Sequence, residues 1–147
     1  MVENEKMNIA YHCTDNYARI TATSVLSLFE NNKDAGEINV YIIEHGFTGE
    51  TRQKFRDLAD KYGRNMYFIP LPDFNGENYS LGLVSIKKNW MFDSYSRLFL
   101  DRLLPKGTER VIYLDGDILV LGSLKKIWEM DLKGKCCAAC LDCISAP

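Results

Sequence analysis

In the stretch "YLDGDILV", residues 113–120, an apolar strand-like run stops for two aspartates and then resumes. Carboxylates seldom interrupt an apolar run unless something compensates their charge. In extended chain, residues two positions apart project to the same side, so Asp115 and Asp117 are expected to point together. Two carboxylates so close repel each other unless one is protonated or a cation lies between them.

A cation at this stretch would be a hard one. Carboxylate oxygens suit Mg²⁺ or Mn²⁺, and two aspartates leave most of an octahedral shell open for substrate phosphate oxygens. Gly116, the spacer, would let a diphosphate approach the backbone or let the chain bend. The alternative is a plain turn or an exposed strand end, since Asp-Gly is also ordinary turn chemistry. Taken alone, the sequence Asp-Gly-Asp favours the turn. Only the residues on either side of it favour a metal site.

Those flanks show strands and helices in alternation, with the aspartates at the carboxyl end of a strand. The predicted strands are residues 7–13, 37–46, 65–71, 111–114 and 135–142. The predicted helices are residues 15–32, with Thr14 or Asp15 as cap, 48–63 with Thr48 as cap, 90–104 and 123–130, and residues 118–121 are expected to be extended. This order predicts an α/β fold with right-handed crossovers and a mostly parallel sheet. Ligands bind beyond the carboxyl ends of such strands, which makes residues 13–17 and 115–117 the candidate sites.

Composition narrows the class of protein. The chain has 147 residues, 46% of them hydrophobic and 26% charged, which indicates one ordinary globular domain. Its net charge of −2 gives no reason to expect a nucleic-acid surface. No run approaches the length of a membrane span and residues 1–8 do not resemble a signal peptide, so the predicted location is the cytoplasm.

Five cysteines are present, four of them in "CCAACLDC". An odd count without a secretory signal argues against a disulfide framework. In a strand, Cys137 and Cys143 would face one way and Cys140 the other, which splits any metal-ligand set. The cysteines of this strand are therefore predicted to be small core residues.

Two further features carry polar chemistry. Arg97, set among apolar residues in "SYSRLFL", could hold a carboxylate or a phosphate bidentately, although, taken alone, it is better explained by a surface salt bridge or by packing over apolar surface. The stretch "HCTDNY", residues 12–17, offers short hydrogen-bonding side chains and an aromatic ring that could bind a base and a ribose. Its alternative is helix capping with Tyr17 in the core.

Taken together and in order, these features resemble the retaining glycosyltransferases of family 8, which include lipopolysaccharide galactosyl- and glucosyltransferases and glycogenin. The matching stretches are "NIAYHCTDNYARITATSVLSLFENN", "INVYIIEHGFT", "FDSYSRLFLDRLLP", "RVIYLDGDILVLGSLKKIWEMDL" and "AACLD". They span residues 7 to 142, and "YLDGDILVLGSL" is the most specific. The resemblance implies a GT-A fold, a Rossmann-like nucleotide-sugar-binding domain over residues 7–147 after a flexible N-terminus at residues 1–6.

The resemblance also implies a metal-dependent activity, the retaining transfer of galactose or glucose from a UDP-sugar to a saccharide or lipopolysaccharide-type acceptor. Asp115 and Asp117 would ligate Mn²⁺ or Mg²⁺ at the diphosphate, with Gly116 against the nucleotide. Asp115 would also reach the ribose or the sugar. Arg97 would steady Asp115 and contact the donor, so Arg97 and Asp115 are the catalytic candidates.

The nucleoside would be held by the first candidate loop. By the resemblance, Tyr17 stacks on uracil, Asn16 reaches the ribose and the backbone at His12 pairs with the base. Where the family often carries an aspartate that contacts uracil, this sequence has Thr14, which makes the uracil preference less secure.

The family's catalytic domains run to about twice this length. We therefore expect a C-terminally truncated, donor-binding half that is inactive alone, with a third metal ligand (a histidine) and the acceptor site beyond Pro147. An exposed sheet edge would favour a homodimer, and the resemblance allows peripheral association with the inner face of a membrane. Two other hypotheses stay open. One is a nucleotidylyltransferase-like enzyme, although "HCTDNYARI" lacks the glycines of its usual loop, and the other is a non-catalytic structural α/β domain.

Overall fold

A computed structural model describes residues 6–71 and 95–140 of the chain. The strands are β1 (Lys6–Thr14), β2 (Glu37–His45), β3 (Asn65–Pro70) and β4 (Ile112–Leu114). The helices are α1 (Ala18–Glu30), α2 (Gly49–Lys61), α3 (Leu100–Leu103) and α4 (Lys125–Trp128), with 3₁₀ turns at Asp15–Tyr17 and Ser96–Phe99. The predicted loop at residues 72–83, the first part of the predicted helix at 90–104, and Cys143 lie outside the described residues.

The four strands form one parallel sheet in the order β3-β2-β1-β4. The chain moves outward from β1 to β2 and β3, then returns to add β4 on the other side of β1. Open α/β sheets bind their ligands where the strand order reverses in this way, outside the carboxyl ends of the strands. The predicted α/β class and mostly parallel sheet are confirmed, and the reversal lies between β1 and β4.

The main core lies between one face of the sheet and helices α1 and α2. Helix α1 forms because its buried residues recur every three or four positions, which gives it one face to bury. Those residues are Thr21, Ser24, Val25, Leu28 and Phe29. Helix α2 begins as predicted at Thr48, whose side chain accepts a hydrogen bond from the Thr51 amide. A smaller cluster of Ala10, Tyr41 and Leu104 covers the other face of the sheet.

The predicted strand at residues 135–142 is wrong over its described part, because residues 135–140 pair with no strand and are exposed. Cys136, Cys137 and Cys140 are therefore exposed, and the core role predicted for them is wrong. An apolar stretch becomes a strand only when a neighbouring strand takes its hydrogen bonds. Among the described residues, nothing pairs with the outer edge of β4.

Two smaller predictions also change. The helix predicted at residues 123–130 is reduced to the single turn of α4, because that turn has no buried residue to anchor a longer helix. Residues 118–121, predicted to be extended, lie outside helix and strand, and Val120 among them is buried. Lys6, predicted to be flexible with residues 1–5, opens β1 and pairs with Glu37. No helix in residues 6–71 and 95–140 combines the length and the apolar character that a bilayer crossing needs.

Candidate functional site

The two loops singled out by the sequence leave the sheet side by side at the reversal point. Strand β1 continues into the turn Asp15–Tyr17, and β4 continues into Asp115. The two strands are paired, with Tyr11 opposite Leu114. Because parallel strands end at the same edge of a sheet, the fold brings residues 12–17 and 115–117 to one place.

The loop after β4 carries both aspartates in exposed positions. Arg97 donates from Nη2 to Oδ1 of Asp115 at 3.0 Å, and its guanidinium lies 4.8 Å from the centre of the Tyr113 ring. Both partners of the ion pair are about half exposed, so the pair contributes little to stability. Its effect is orientation, since a stacked guanidinium presents its N–H groups in a fixed plane to the carboxylate.

The Tyr113 ring is a neutral platform for that guanidinium. Burial raises the pKa of Tyr113 above its usual value, while the charge of Arg97 acts in the opposite direction. The phenol therefore stays protonated at neutral pH. A cation lies over such a ring because the face of the ring carries partial negative charge.

Gly116, between the aspartates, packs against helix α1. A Cβ atom built at this position would lie 2.3 Å from Oγ1 and 3.3 Å from Cβ of Thr21. Backbone conformation does not require the glycine, because its φ lies outside the left-handed region. The spacer is thus the smallest residue for a packing reason, which the sequence did not reveal.

The loop after β1 is fixed by its aspartate. Oδ1 of Asp15 accepts hydrogen bonds from the Thr51 hydroxyl at 2.7 Å and from the Thr48 amide at 3.2 Å, at the start of α2. The prediction that Thr14 or Asp15 caps the first helix is wrong, because Thr14 makes no side-chain cap bond and Asp15 is engaged with α2. Asp15 therefore ties the loop that carries Asn16 and Tyr17 to the loop after β2.

The remaining predicted residues lie along the same edge. His12 is half-buried in β1 opposite Ile43, Thr14 ends the strand, and Asn16 is exposed. The ring of Tyr17 is 44% exposed, which excludes the core role that was its alternative. The ring is thus accessible from solvent at the reversal point of the sheet.

The Asp15 contacts predict a pH-dependent stability. The Thr51 hydroxyl, with the Thr48 amide, holds the pKa of Asp15 below its usual value of 3.8. A lowered folded-state pKa gives stability that is present above the unfolded-state pKa and is lost as the pH falls through the folded-state value. We expect Asp15→Asn to lower the melting temperature at pH 7, and we expect this deficit to shrink as the pH falls below about 4. Thermal unfolding between pH 7 and pH 3 measures it. A deficit that is constant with pH would contradict the carboxylate's role, and Asp34→Asn, at an exposed turn, is the charge-matched control.

Three polar residues that the sequence analysis missed hold the chain beyond the aspartates. Oγ of Ser27 accepts from the Val120 amide at 2.9 Å, and Nδ2 of Asn31 donates to the Val120 carbonyl at 2.9 Å. Oδ1 of the fully buried Asn32 accepts from the Leu124 amide at 2.8 Å. In the sequence, the pair "NN" at a helix end indicates only a C-cap. The roles of these residues could not be predicted, because their partners lie about ninety residues away along the chain.

The side-chain oxygens at this edge of the sheet supply only part of the ligand set that a hard divalent cation needs. Asp115 and Asp117 offer exposed carboxylate oxygens, the ligand type that Mg²⁺ and Mn²⁺ prefer. Within the described ranges, no three histidine, cysteine or acidic side chains form a group that could hold a metal ion. A cation here would therefore need other ligands, such as phosphate oxygens, to complete its shell.

Comparison with known proteins agrees with this arrangement. The chain is 28% identical over 141 residues to a putative glycosyltransferase of Haemophilus influenzae, covering 95% of this chain and 40% of that protein. It is 28% identical over 139 residues to a lipopolysaccharide 1,2-glucosyltransferase of Escherichia coli K12, covering 95% and 39%. The crystal structure of the galactosyltransferase LgtC with donor and acceptor sugar analogues superposes with a TM-score of 0.68 at 27% identity, covering 86% and 43%.

This structural likeness confirms the predicted GT-A fold. The chain spans about two fifths of the length of these relatives. The profile described as "Glycosyl transferase family 8" matches residues 8–146, nearly the whole chain. The chain therefore belongs to glycosyl transferase family 8.

Proposed function

We propose that this chain is the donor-binding part of a retaining glycosyltransferase that moves galactose or glucose from a UDP-sugar to a saccharide or lipopolysaccharide-type acceptor. The family membership supports a glycosyltransferase, and a lipopolysaccharide glucosyltransferase is among the relatives. The observation that carries the proposal is the Arg97–Asp115 contact, with Asp117 two residues further on, at the reversal point of a parallel sheet. Cytoplasmic location, peripheral membrane association and a homodimer stay predictions.

In this proposal, Asp115 and Asp117 are the residues that would hold Mn²⁺ or Mg²⁺ beside the donor. When bound, the metal supplies Lewis-acid stabilisation of the departing UDP. By the family resemblance, Asp115 also reaches the ribose or the sugar. Arg97 fixes Asp115 and contacts the donor through its guanidinium.

The nucleoside lies at the loop after β1. Tyr17 stacks on the base with its exposed ring, and Asn16 reaches the ribose. Thr14 and the backbone of His12 complete the contacts to uracil, and Gly116 lies against the nucleotide. Asp15 does not touch the nucleotide and holds this loop against α2.

The role of Arg97 can be tested by a substitution that keeps its charge. Arg97→Lys removes the planar fork and the stacking on Tyr113 while retaining a cation near Asp115. We expect the affinity for UDP in the presence of Mn²⁺ to fall about tenfold, because Asp115 is no longer held in one orientation. Isothermal titration or ligand-observed NMR measures it. An unchanged affinity would show that the guanidinium does not position the site. Arg102→Lys, on the exposed surface of α3, is the matched control.

Two observations weigh against the other hypotheses. The loop after β1 is a 3₁₀ turn with an exposed tyrosine, which does not favour the Gly-rich phosphate loop of a nucleotidylyltransferase. A purely structural Asp-Gly turn gives no reason for an arginine that stacks on Tyr113 and hydrogen-bonds to the first aspartate.

A nucleotide panel tests the proposal. The chain is titrated with UDP, ADP, GDP and UTP in the presence of Mn²⁺, and we expect UDP to bind best. A preference for UTP would favour the nucleotidylyltransferase, and no binding of any nucleotide would favour the structural domain. Transfer is assayed in parallel with UDP-galactose and UDP-glucose on saccharide acceptors. We expect none from these 147 residues, and measurable transfer would contradict the prediction that they are a donor-binding half.

A further inference from the structure

Thr21 is the point at which helix α1 meets the loop that carries the aspartates. Its side chain is fully buried, and its Oγ1 occupies the space where a Cβ at position 116 would lie. The neighbouring Cys13 is an inert thiol, since burial raises its pKa to about 11 against the smaller opposing effect of the Thr21 hydroxyl. Thr21 is thus enclosed by the end of β1 on one side and by the aspartate loop on the other.

From this contact onward, the chain after the aspartates contacts α1, and the two residues that follow it, at successive positions. Thr21 meets Gly116, Ser27 and Asn31 bind Val120, and Asn32 binds Leu124. The order along the helix matches the order along the segment, so residues 116–124 run beside α1 in the same direction. The contacts made by Ser27, Asn31 and Asn32 are hydrogen bonds, whereas Thr21 and Gly116 meet through van der Waals packing.

The same helix carries the other half of the proposed site. Tyr17 immediately precedes α1, and Thr21 lies four residues further along the chain, in the first turn of the helix. A change in how Gly116 rests on Thr21 therefore moves the aspartates relative to Tyr17. Protein interiors are close-packed, so such a contact transmits displacements from one element to its neighbour.

We propose that Thr21 is a positioning residue that sets the distance between the metal-binding loop and the nucleoside-binding loop. It acts through Gly116, whose missing side chain lets the loop rest against the helix. This inference rests on the proposed function for its consequence in binding. Its structural part, the coupling of Thr21 to Gly116, stands independently of any ligand.

A double-mutant cycle tests it. Gly116→Ala adds a methyl group where Thr21 allows none, and Thr21→Ala removes the Oγ1 and Cγ2 atoms that the methyl would meet. We expect Gly116→Ala to lower the melting temperature and to weaken UDP binding with Mn²⁺ by about tenfold. We expect the double variant to regain an affinity within about threefold of that of the unsubstituted chain. Thr23→Ala, at an exposed position of the same helix, is the control and is expected to rescue nothing.

The outcomes separate the inference from the proposed function. Rescue by Thr21→Ala in both melting temperature and affinity supports the inference. A harmless Gly116→Ala, or equal effects of Gly116→Ala with and without Thr21→Ala, would overturn it. Absence of metal-linked UDP binding in the unsubstituted chain, with rescue of the melting temperature intact, would overturn the proposed function and support the coupling.

Discussion

Asp117→Asn should reduce the affinity for UDP in the presence of Mn²⁺ by about a hundredfold. The amide keeps the size of the side chain and removes the negative charge that a divalent cation requires from its ligand. Asp117 is the better position for this test than Asp115, because Asp115 also binds Arg97 and its loss would disturb the arginine as well. Titration with UDP in Mn²⁺ and in EDTA measures the effect, which is expected only in the presence of the metal.

The control for this variant is Asp34→Asn, which makes the same change at an exposed turn beyond α1. It should leave the Mn²⁺-dependent affinity unchanged and so exclude an effect of overall charge. If Asp117→Asn binds UDP with Mn²⁺ as well as the unsubstituted chain does, the aspartate is not a metal ligand. The Asp-Gly-Asp stretch would then be a turn with an incidental ion pair.

Asn32→Ala should lower the free energy of unfolding by about 2–4 kcal/mol. The Asn32 side chain is fully buried, and it accepts from the Leu124 amide and donates to the Leu28 carbonyl at 2.9 Å. Alanine leaves both groups buried and without this partner, and the desolvation cost of each is then not repaid. Equilibrium denaturation in urea measures the change.

Asn31 offers a matched comparison because it is the next residue and is exposed. Asn31→Ala loses its bond to the Val120 carbonyl, but water can replace the amide there. We expect a cost of about 1 kcal/mol or less. Equal costs for the two variants would show that the burial of Asn32 does not matter. A cost below about 0.5 kcal/mol for Asn32→Ala would contradict its role in holding residues 122–124.

Local pattern was enough to predict most of the fold. Strands β1 and β2 are buried along most of their length and appear as continuous apolar runs, whereas helices α1 and α2 each bury one stripe, and both patterns are visible in the sequence. Thr48 could be identified as a cap because its partner, Thr51, lies three residues away. The strand predicted at residues 135–142 failed for the opposite reason. A strand requires a neighbouring strand to take its hydrogen bonds, and the presence of that neighbour cannot be deduced from the apolar stretch itself.

The candidate site, like the fold, could be predicted where its residues are contiguous in sequence and not where they depend on distant partners. The spacing of Asp115 and Asp117 and the character of residues 12–17 were sufficient to locate both loops, because each set is contiguous. The contacts that fix the loops are long-range and were not predictable. Asp15 binds residues of α2, Asn32 binds a backbone amide ninety-two residues away, and Gly116 is small because of Thr21.

The most direct test of the account is a titration of this chain with UDP in Mn²⁺ and again in EDTA. If the aspartate loop and the Tyr17 loop form one site, UDP should bind at least about tenfold more tightly with the metal, since the cation joins the carboxylates to the diphosphate. The same affinity in both conditions would contradict a metal-linked nucleotide site between β1 and β4.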